Sequence, residues 1–390
     1  MIYSLFQKVQ NALNISKEFS GNKLADLQSL QKGLMPQREL ENGLPKTNSG
    51  DHIRRIKESF IRSKEEQLKY EKPYQTTGEW VPIVEKVRAN YIEALKQSSH
   101  DEFQSLIANF FRNSGSAGLN THESYESAVQ LNSRGKKDFI LKILRDLKVW
   151  QELTGSENYE VLKSLSAGNP WGYYVKDTLV LPNACRHHYS AWRANNLLRD
   201  INVPILAEIG GGYGGFGYFL KRDNSDIKYI NFDLPEVLMI SQYYLLNAFP
   251  DKKILLFGEK NKPLSCDSIR DHDIILLPNF LISELEDRTV DLLFNCNSLS
   301  EMNEITVNEY FRHINRVTKK YFFHINSDVS LLRGGNHYEI PSSKFPISND
   351  FKLLAKNHSS FDMLVDGRYK EFLYERSGSN GGIRAGIPST

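Results

Sequence analysis

The sequence has only three cysteines among its 390 residues, and Cys185, Cys266 and Cys296 are too far apart for a CxxC metal motif. Three scattered thiols also cannot form the disulfide framework that small secreted domains use in place of a large core. We interpret all three as small packed side chains in a protein of a reducing compartment.

Long apolar runs and a strong charge imbalance are also missing. No segment approaches ~18 uninterrupted apolar residues, and the first residues, MIYSLFQKVQNALNISKEF, lack the basic and then apolar order of a signal peptide. The 49 basic residues nearly cancel the 47 acidic ones, for a formal net charge of +2. No whole-chain field therefore favours nucleic acid or an anionic membrane. We expect a cytoplasmic protein without a membrane span that acts on a small molecule.

Helical periodicity dominates the first part of the chain. Apolar residues recur at three- and four-residue steps in HIRRIKESFIRSKEEQLKYEK, WVPIVEKVRANYIEALKQ, EFQSLIANFFRN and KKDFILKILRDLKVWQELTG. We expect a mainly α-helical N-terminal region over residues 1–155, with an assembly or lid role. Its amphipathic helices are compatible with a homodimer.

From residue 201 short apolar runs alternate with helical segments, the pattern of parallel strands joined by crossover helices. The strand candidates, in order, are PILAEI, IKYINFD, KKILLF, DIILLP, VDLLFNC, KKYFFHIN, FKLLAKNHS and YKEFLYER. KKILLF and DIILLP compete for the third parallel position, and the last two candidates indicate a hairpin. This predicts an α/β domain over residues 201–376, followed by a Gly/Ser-rich disordered tail over residues 377–390.

A connecting segment, residues 156–200, is unusually aromatic. It contains Trp171 and Tyr174, and it also carries the adjacent His187 and His188. Aromatic faces suit the apolar face of a sugar ring, although they are equally good core material. We predict that this linker contributes to the substrate pocket through Trp171, Tyr174 and His187.

The stretch EIGGGYGGFG, residues 208–217, holds six glycines in ten residues between a strand candidate and a helix. Glycine permits positive φ and close approach of a ligand, and a helix N-terminus offers free N–H donors. Gly210, Gly212 and Gly215 spell the G-x-G-x-x-G of dinucleotide folds. Asp233, 23 residues after Gly210, lies near where a ribose-binding carboxylate belongs. The turn indicates a nucleotide-like cofactor and fits NAD as well as S-adenosylmethionine.

Charge separates these two cofactors. Glu208 lies two residues before the first glycine, in the pattern E-x-G-x-G-x-G. A carboxylate there attracts the sulfonium and the amino group of S-adenosylmethionine, whereas it repels a pyrophosphate. The segment VDLLFNCNSLSEM also places Asn295, Asn297 and Glu301 at the carboxyl end of a buried strand, the edge where open α/β sheets bind ligands.

These segments resemble the bacterial sugar O-methyltransferases of the class I S-adenosylmethionine-dependent superfamily. The resemblance is carried by EIGGGYGG, FDLPEVLMISQYYL, LLPNF, DLLFNCNSLSEM and IPSSKFPI, in this order within residues 165–375. It implies a Rossmann-like domain whose seven-stranded sheet ends in an antiparallel hairpin, an edge that NAD domains usually lack. It also implies O-methylation of a sugar hydroxyl, as in polysaccharide biosynthesis. The first 150 residues carry no motif of that family.

The resemblance and the chemistry of the side chains together assign the cofactor site. The glycines are expected to line the methionine part of S-adenosylmethionine. Asp233 is expected to accept hydrogen bonds from both ribose hydroxyls, unless it caps the helix that begins at Pro235. Asn279 and Phe280, in LLPNF, are expected to flank the adenine. The predicted cofactor contacts are Glu208, Gly210, Gly212, Gly214, Asp233, Leu234, Asn279, Phe280 and Asn295.

Methyl transfer to a hydroxyl is an in-line displacement, so the enzyme must hold the hydroxyl about 3–3.5 Å from the methyl carbon and remove its proton. Glu301 is the first candidate base, because it lies close to where similar plant O-methyltransferases place their histidine. An equally weighted alternative makes Glu301 a helix cap or a surface residue. His337 and His188 are the other candidate bases, and Asn297 is a predicted substrate contact. No residues at ligand spacing compel a metal, although metal assistance stays open.

Two rival functions remain. An NAD-dependent oxidoreductase is disfavoured by Glu208 and by the terminal hairpin. A catalytically inactive, methyltransferase-like binding module is disfavoured by the intact glycines, Asp233 and Glu301.

Overall fold

The computed structural model describes residues 27–36, 49–76, 80–97, 100–119, 124–333, 337–361 and 367–378. The helices are α1 (Leu27–Leu34), α2 (Ser49–Gln67), α3 (Trp80–Pro82), α4 (Ala89–Lys96), α5 (Asp101–Ala108), α6 (Tyr125–Gln130), α7 (Ser133–Thr154), α8 (Ala184–Leu198), α9 (Gly215–Asp223), α10 (Pro235–Ala248), α11 (Cys266–Asp271) and α12 (Glu304–Val317). The strands are β1 (Tyr173–Val175), β2 (Thr178–Val180), β3 (Ile205–Ile209), β4 (Lys228–Asp233), β5 (Ile254–Leu256), β6 (Ile274–Pro278), β7 (Val290–Cys296), β8 (Thr318–Ser327), β9 (Leu332–Arg333), β10 (His337–Tyr338), β11 (Phe351–His358) and β12 (Tyr369–Arg376).

The main sheet has the order β11-β12-β8-β7-β3-β4-β6-β5. Its six strands from β8 to β5 are parallel, whereas β12 runs antiparallel to both β8 and β11. The predicted α/β class, the Rossmann-like parallel sheet and the terminal hairpin are confirmed. The sheet has eight strands and not seven, because KKILLF and DIILLP both form strands, with the short β5 added at the edge beside β6.

Helices cover both faces of the sheet, which explains why its central strands are continuous apolar runs. One face packs on a hydrophobic cluster that extends from α1 and α2 to α8, α9 and α10. The other face packs on α11, α12 and the segment after β6. The N-terminal helices and the sheet therefore share a core, and the predicted boundary at residue 155 stays a prediction.

The N-terminal region is mainly helical, as predicted, but the segment WVPIVEKVRANYIEALKQ is not one helix. α3 leads into a π-helical turn, Ile83–Val87, in which the Arg88 N–H donates to the Ile83 carbonyl at 2.9 Å, and α4 begins only afterwards. This irregular turn carries Arg88 into the interior, where it is fully buried. A π-turn inside a helix often marks a functional site.

The segment 156–200 is more regular than a linker, since it contains the β1–β2 hairpin and α8. The cysteines also differ from our interpretation: Cys185 is buried, but Cys266 is exposed and Cys296 is half-buried. None of the helices within the described ranges is long and apolar enough to cross a membrane. The expected disordered tail lies outside the described residues from residue 379 onward.

Candidate functional site

A cavity of about 410 Å³ lies at the carboxyl ends of β3, β4, β6 and β7. β3 stands at the centre of the sheet, with β4 on one side and β7 on the other. This is the position where the strand order reverses, at which open α/β sheets bind their ligands.

The glycine turn forms the floor of this cavity. Gly210, Gly212 and Gly214 have φ values of +74°, +60° and +90°, a region that favours glycine. A Cβ on Gly210 would lie 2.6 Å from Ser298 Oγ, whereas a Cβ on Gly212 would meet nothing closer than Leu119 at 3.7 Å. The first glycine is therefore needed for packing, and Gly212 leaves room for a ligand.

Replacing Gly210 with alanine should destabilise the protein by about 1–3 kcal/mol, because positive φ and the contact with Ser298 both oppose a Cβ. Chemical denaturation measures this loss. Gly155→Ala is the matched control, since Gly155 also has positive φ, +68°, but no atom lies within 4 Å of its Cβ position. Equal losses in the two variants would show that the packing against Ser298 contributes nothing.

Asp233 ends β4 and lines the cavity. Its Oδ2 accepts a hydrogen bond from the Gly212 N–H at 2.9 Å, and its Oδ1 accepts one from the Leu234 N–H at 2.8 Å. The residue before α10 is Leu234, so Asp233 bonds the glycine turn and is not the helix cap that we considered. Burial raises the pKa of this carboxyl to about 7, against the lowering effect of the two N–H groups and of Arg88.

Glu208 is a second buried carboxyl at the cavity wall, 3% exposed. The Tyr229 hydroxyl donates a hydrogen bond to its Oε2. Burial raises the pKa of Glu208 to about 8, and the nearby Asp233 adds to this increase. A cation in the cavity would favour the ionised form of both groups.

Asn279 follows β6 and lines the cavity, but Phe280 does not. The Asn279 Nδ2 donates to Tyr310 Oη at 3.0 Å and to the Tyr74 carbonyl at 3.2 Å, while its Oδ1 has no hydrogen-bond partner among the described residues. Phe280 is fully buried and stacks on Tyr70 with ring centroids 4.4 Å apart. The expectation that Phe280 contacts the adenine is therefore wrong, since its ring is used in the core.

Among the candidate bases whose side chains the structure describes, Glu301 lines the cavity and His188 does not. Glu301 is half-buried in the turn between β7 and α12, and Asn303, not Glu301, caps α12 by accepting from the Thr306 N–H at 2.9 Å. The backbone of His337 lies in β10, and its side chain is outside the described part of the chain.

His188 does not reach the cavity. Its Nδ1 accepts a hydrogen bond from Trp150 Nε1 at 2.9 Å, and its Nε2 lies 3.5 Å from Asp223 Oδ2. Burial lowers the pKa of His188 to about 4. The prediction of a catalytic His188 is wrong, because the neutral ring is held between α7 and α9 as a structural group.

The neighbouring His187 does line the cavity, with its Nδ1 3.0 Å from the Tyr213 hydroxyl. Asn297 lines it too. With its amide oriented so that both groups are satisfied, the Asn297 Nδ2 donates to the Ile325 carbonyl at 3.2 Å and its Oδ1 accepts from Arg186 Nη1 at 2.8 Å.

Two predicted substrate contacts lie elsewhere. Trp171 is 1% exposed, and its Nε1 donates to the Phe111 carbonyl at 3.0 Å. Tyr174 lies in the β1–β2 hairpin. The Lys32 ammonium lies over its ring, with Nζ 4.2 Å from the ring centroid. Both predictions are wrong, because these aromatic rings pack against the N-terminal helices.

Asn295, a predicted cofactor contact, lies beneath the glycine turn and does not line the cavity. Its Nδ2 donates to the Ile209 carbonyl at 2.8 Å and to Ser298 Oγ. Gly214 is the residue before α9 and supports the turn from outside the lining. The remaining predicted cofactor contacts do line the cavity: Glu208, Gly210, Gly212, Asp233, Leu234 and Asn279.

Several other lining residues were not predicted from the sequence. Arg186 and Ser190 reach the cavity from α8 together with His187, and only the spacing of Ser190, four residues after Arg186 and three after His187, could have suggested a shared face. The N-terminal region contributes Pro73, Gln75, Trp80, Ile83, Gly118 and Leu119. No motif marks these positions.

No family model matches the chain, and no curated protein matches it significantly. Among solved structures, magnesium protoporphyrin IX methyltransferase (ChlM) from Synechocystis PCC 6803 is similar over 60% of this chain and 96% of its own, at 11% identity and a TM-score of 0.34. An S-adenosylmethionine dependent methyltransferase from Mesorhizobium loti is similar over 49% of this chain and 98% of its own, at 12% identity and a TM-score of 0.32. Scores this low carry no argument about activity, and the fold rests on the strand order.

Proposed function

We propose that this protein is an S-adenosylmethionine-dependent O-methyltransferase whose acceptor is a sugar hydroxyl. The observation that carries the proposal is the pair of buried carboxyls, Glu208 and Asp233, beside an open glycine turn at the switch point of the sheet. Two such carboxyls suit a ligand that brings positive charge and a ribose, and they oppose a pyrophosphate.

The residues present fit this cofactor. Asp233 ends its strand with free lone pairs beyond its two N–H contacts, so the ionised carboxylate can still accept the ribose hydroxyls. Asn279 lines the same cavity and suits a polar contact with the adenine. Glu208 suits the amino end of the methionine moiety, and Arg186, at the cavity wall beside Asn297, suits its carboxylate.

When bound, S-adenosylmethionine supplies a methyl carbon on a sulfonium, which leaves as a neutral thioether. Glu301 lies across the β7 end from the glycine turn and accepts the proton that the acceptor hydroxyl loses as its oxygen bonds to carbon. His187 and Asn297 help to orient the acceptor. Among the described residues no group of three or more His, Cys, Asp or Glu side chains is placed to hold a metal ion.

The sugar part of the proposal is supported by the resemblance of the sequence and by the mixture of aromatic and polar groups that line the cavity. Trp80 is half-buried there and offers an aromatic face, and Gln75 and Ser190 offer hydrogen-bonding groups. An aromatic ring beside polar groups suits a sugar, which has apolar ring faces and polar edges.

Calorimetric titration with S-adenosylmethionine, S-adenosylhomocysteine and NAD in parallel tests the cofactor. We expect micromolar binding of the first two and none of NAD. Binding of NAD alone would overturn the proposal in favour of an oxidoreductase. Binding of S-adenosylmethionine without methyl transfer to any of a panel of free and nucleotide-linked sugars would support the inactive module.

A further inference from the structure

Arg88, in the N-terminal region, is a fully buried cation close to the proposed ribose site. Its Nη1 donates to the Glu236 carbonyl at 3.1 Å, and its Nη2 donates to the carbonyls of Gly115 at 3.1 Å and Ala117 at 2.8 Å. Its guanidinium also lies over the ring of Trp80, 5.5 Å from the centroid. Arg88 thus joins the loop before residue 119 to the first turn of α10, which begins directly after Asp233 and Leu234.

A buried guanidinium is costly unless a negative charge compensates it. No carboxylate lies within 4 Å of Arg88 among the residues that the structure describes, and its Nε has no hydrogen-bond partner there. The carboxylates whose charge acts on Arg88 from farther away are Asp233 and Glu236. Glu236 already has an ion pair with Lys64 at 2.6 Å. Of these two carboxylates, Asp233 has the larger effect on Arg88, and Glu236 is shared with Lys64.

We propose that Arg88 is a positioning residue of the cofactor site, which fixes the start of α10 and keeps Asp233 ionised so that it can accept the ribose hydroxyls. This inference rests on the proposed function. It gives the N-terminal region a role in binding the cofactor, although that region carries no motif of the family that the catalytic domain resembles.

The groups around Asp233 determine the direction in which its pKa moves. Arg88 lowers the pKa of Asp233, while Glu236 and the burial of the carboxyl raise it. Glu208, Tyr229 and Tyr310 are the other titratable groups that feel the charge of Asp233. With a pKa of about 7, the affinity for a ribose should rise between pH 6 and pH 8 as Asp233 loses its proton.

The test is the affinity of the full-length protein for S-adenosylhomocysteine, measured by calorimetry from pH 6 to pH 9 in wild type and in Arg88→Met. Removing the cation should move the midpoint of the profile up, because Arg88 lowers the pKa of Asp233. Arg88→Met should then bind at least about 3-fold more weakly than wild type at pH 6, yet within about 2-fold of wild type at pH 9.

Arg112→Met is the matched control. Arg112 is another arginine of the N-terminal region that donates to backbone carbonyls, those of Leu34 at 2.7 Å and Met35 at 2.8 Å among them, but it is not among the charges that act on Asp233. This variant should lower the melting temperature and leave the shape of the pH profile unchanged.

Glu236→Gln provides a second test that does not depend on the folding of Arg88→Met. Because Glu236 raises the pKa of Asp233, its neutralisation should move the midpoint down, the opposite direction. A midpoint that stays unchanged in both variants, or a loss of affinity in Arg88→Met that is equal at every pH, would overturn the inference. Failure of wild type to bind S-adenosylhomocysteine at any pH would instead overturn the proposed function.

Discussion

Glu301→Gln should lower the rate of methyl transfer at least ~100-fold, since glutamine keeps the shape of the side chain but cannot take a proton. The affinity for S-adenosylmethionine should stay within about 2-fold of wild type, because Glu301 acts on the acceptor. Single-turnover methylation of a sugar acceptor, with cofactor affinity measured separately, checks both parts.

Glu304→Gln is the control for this experiment. Glu304 begins α12 three residues later, is exposed and does not line the cavity. Its replacement should leave the rate within about 2-fold of wild type. Full activity of Glu301→Gln would remove Glu301 from the mechanism, and His187, the histidine at the cavity wall, would become the next candidate.

The parallel sheet was readable from the sequence because buried strands are short apolar runs with clear breaks between them. VDLLFNC and YKEFLYER correspond to β7 and β12 residue for residue. KKILLF was recognised as a strand candidate, but its place in the sheet was not readable, since among the described strands it pairs only with β6, over three residues at the edge. Whether so short a run joins a sheet depends on its neighbour and not on its own pattern.

The positions of the glycine turn and of Asp233 at the end of β4 were also readable, because they depend on backbone geometry close in sequence. Phe280 and His188 were misplaced for one common reason. Each ring lies next in sequence to a residue that does line the cavity, Asn279 and His187, and one step along a helix or turn decides whether a ring faces the ligand or the core. Trp171 lies in a segment that does not reach the cavity.

The largest gap concerned the N-terminal region, which lines the cavity through Trp80 and Leu119 and bonds the first turn of α10 through Arg88. These contacts join residues more than a hundred positions apart, and the π-turn that directs Arg88 inward follows no sequence rule that we could apply. The resemblance to sugar O-methyltransferases does not cover these residues, so physical contacts are the only guide to their role.

Glu208→Gln should stabilise the ligand-free protein against unfolding and should also weaken cofactor binding. Burial raises the pKa of Glu208 to about 8, above its ordinary value of 4.5. The folded state therefore holds a proton that the unfolded state releases, so wild-type stability falls as the pH rises from about 4.5 to about 8. At pH 9 wild type carries a buried charge that glutamine lacks. We expect the melting temperature of the variant at pH 9 to be higher by about 2–5 °C.

The ionised carboxylate of Glu208 lowers the stability of the ligand-free protein, and the same negative charge attracts the cofactor. At pH 9 Glu208→Gln should bind S-adenosylmethionine about 10- to 100-fold more weakly, the scale of one hydrogen bond to a charged group. The affinity for 5′-methylthioadenosine, which lacks the sulfonium and the amino group, should change little. In wild type at pH 7, binding of S-adenosylmethionine should release a proton, which calorimetry detects as a heat that depends on the buffer.

Glu371→Gln is the control that shows whether neutralising any buried carboxyl would stabilise the protein. Glu371 is also buried, but it forms an ion pair with Arg193, so glutamine there leaves a buried guanidinium uncompensated and should lower the melting temperature. The two variants should thus change stability in opposite directions at pH 9. Glu208→Gln could instead lower the melting temperature or bind S-adenosylmethionine as tightly as wild type. Either result would make Glu208 a structural partner of Tyr229. Cofactor binding would then depend on Asp233 and the glycine turn and not on Glu208.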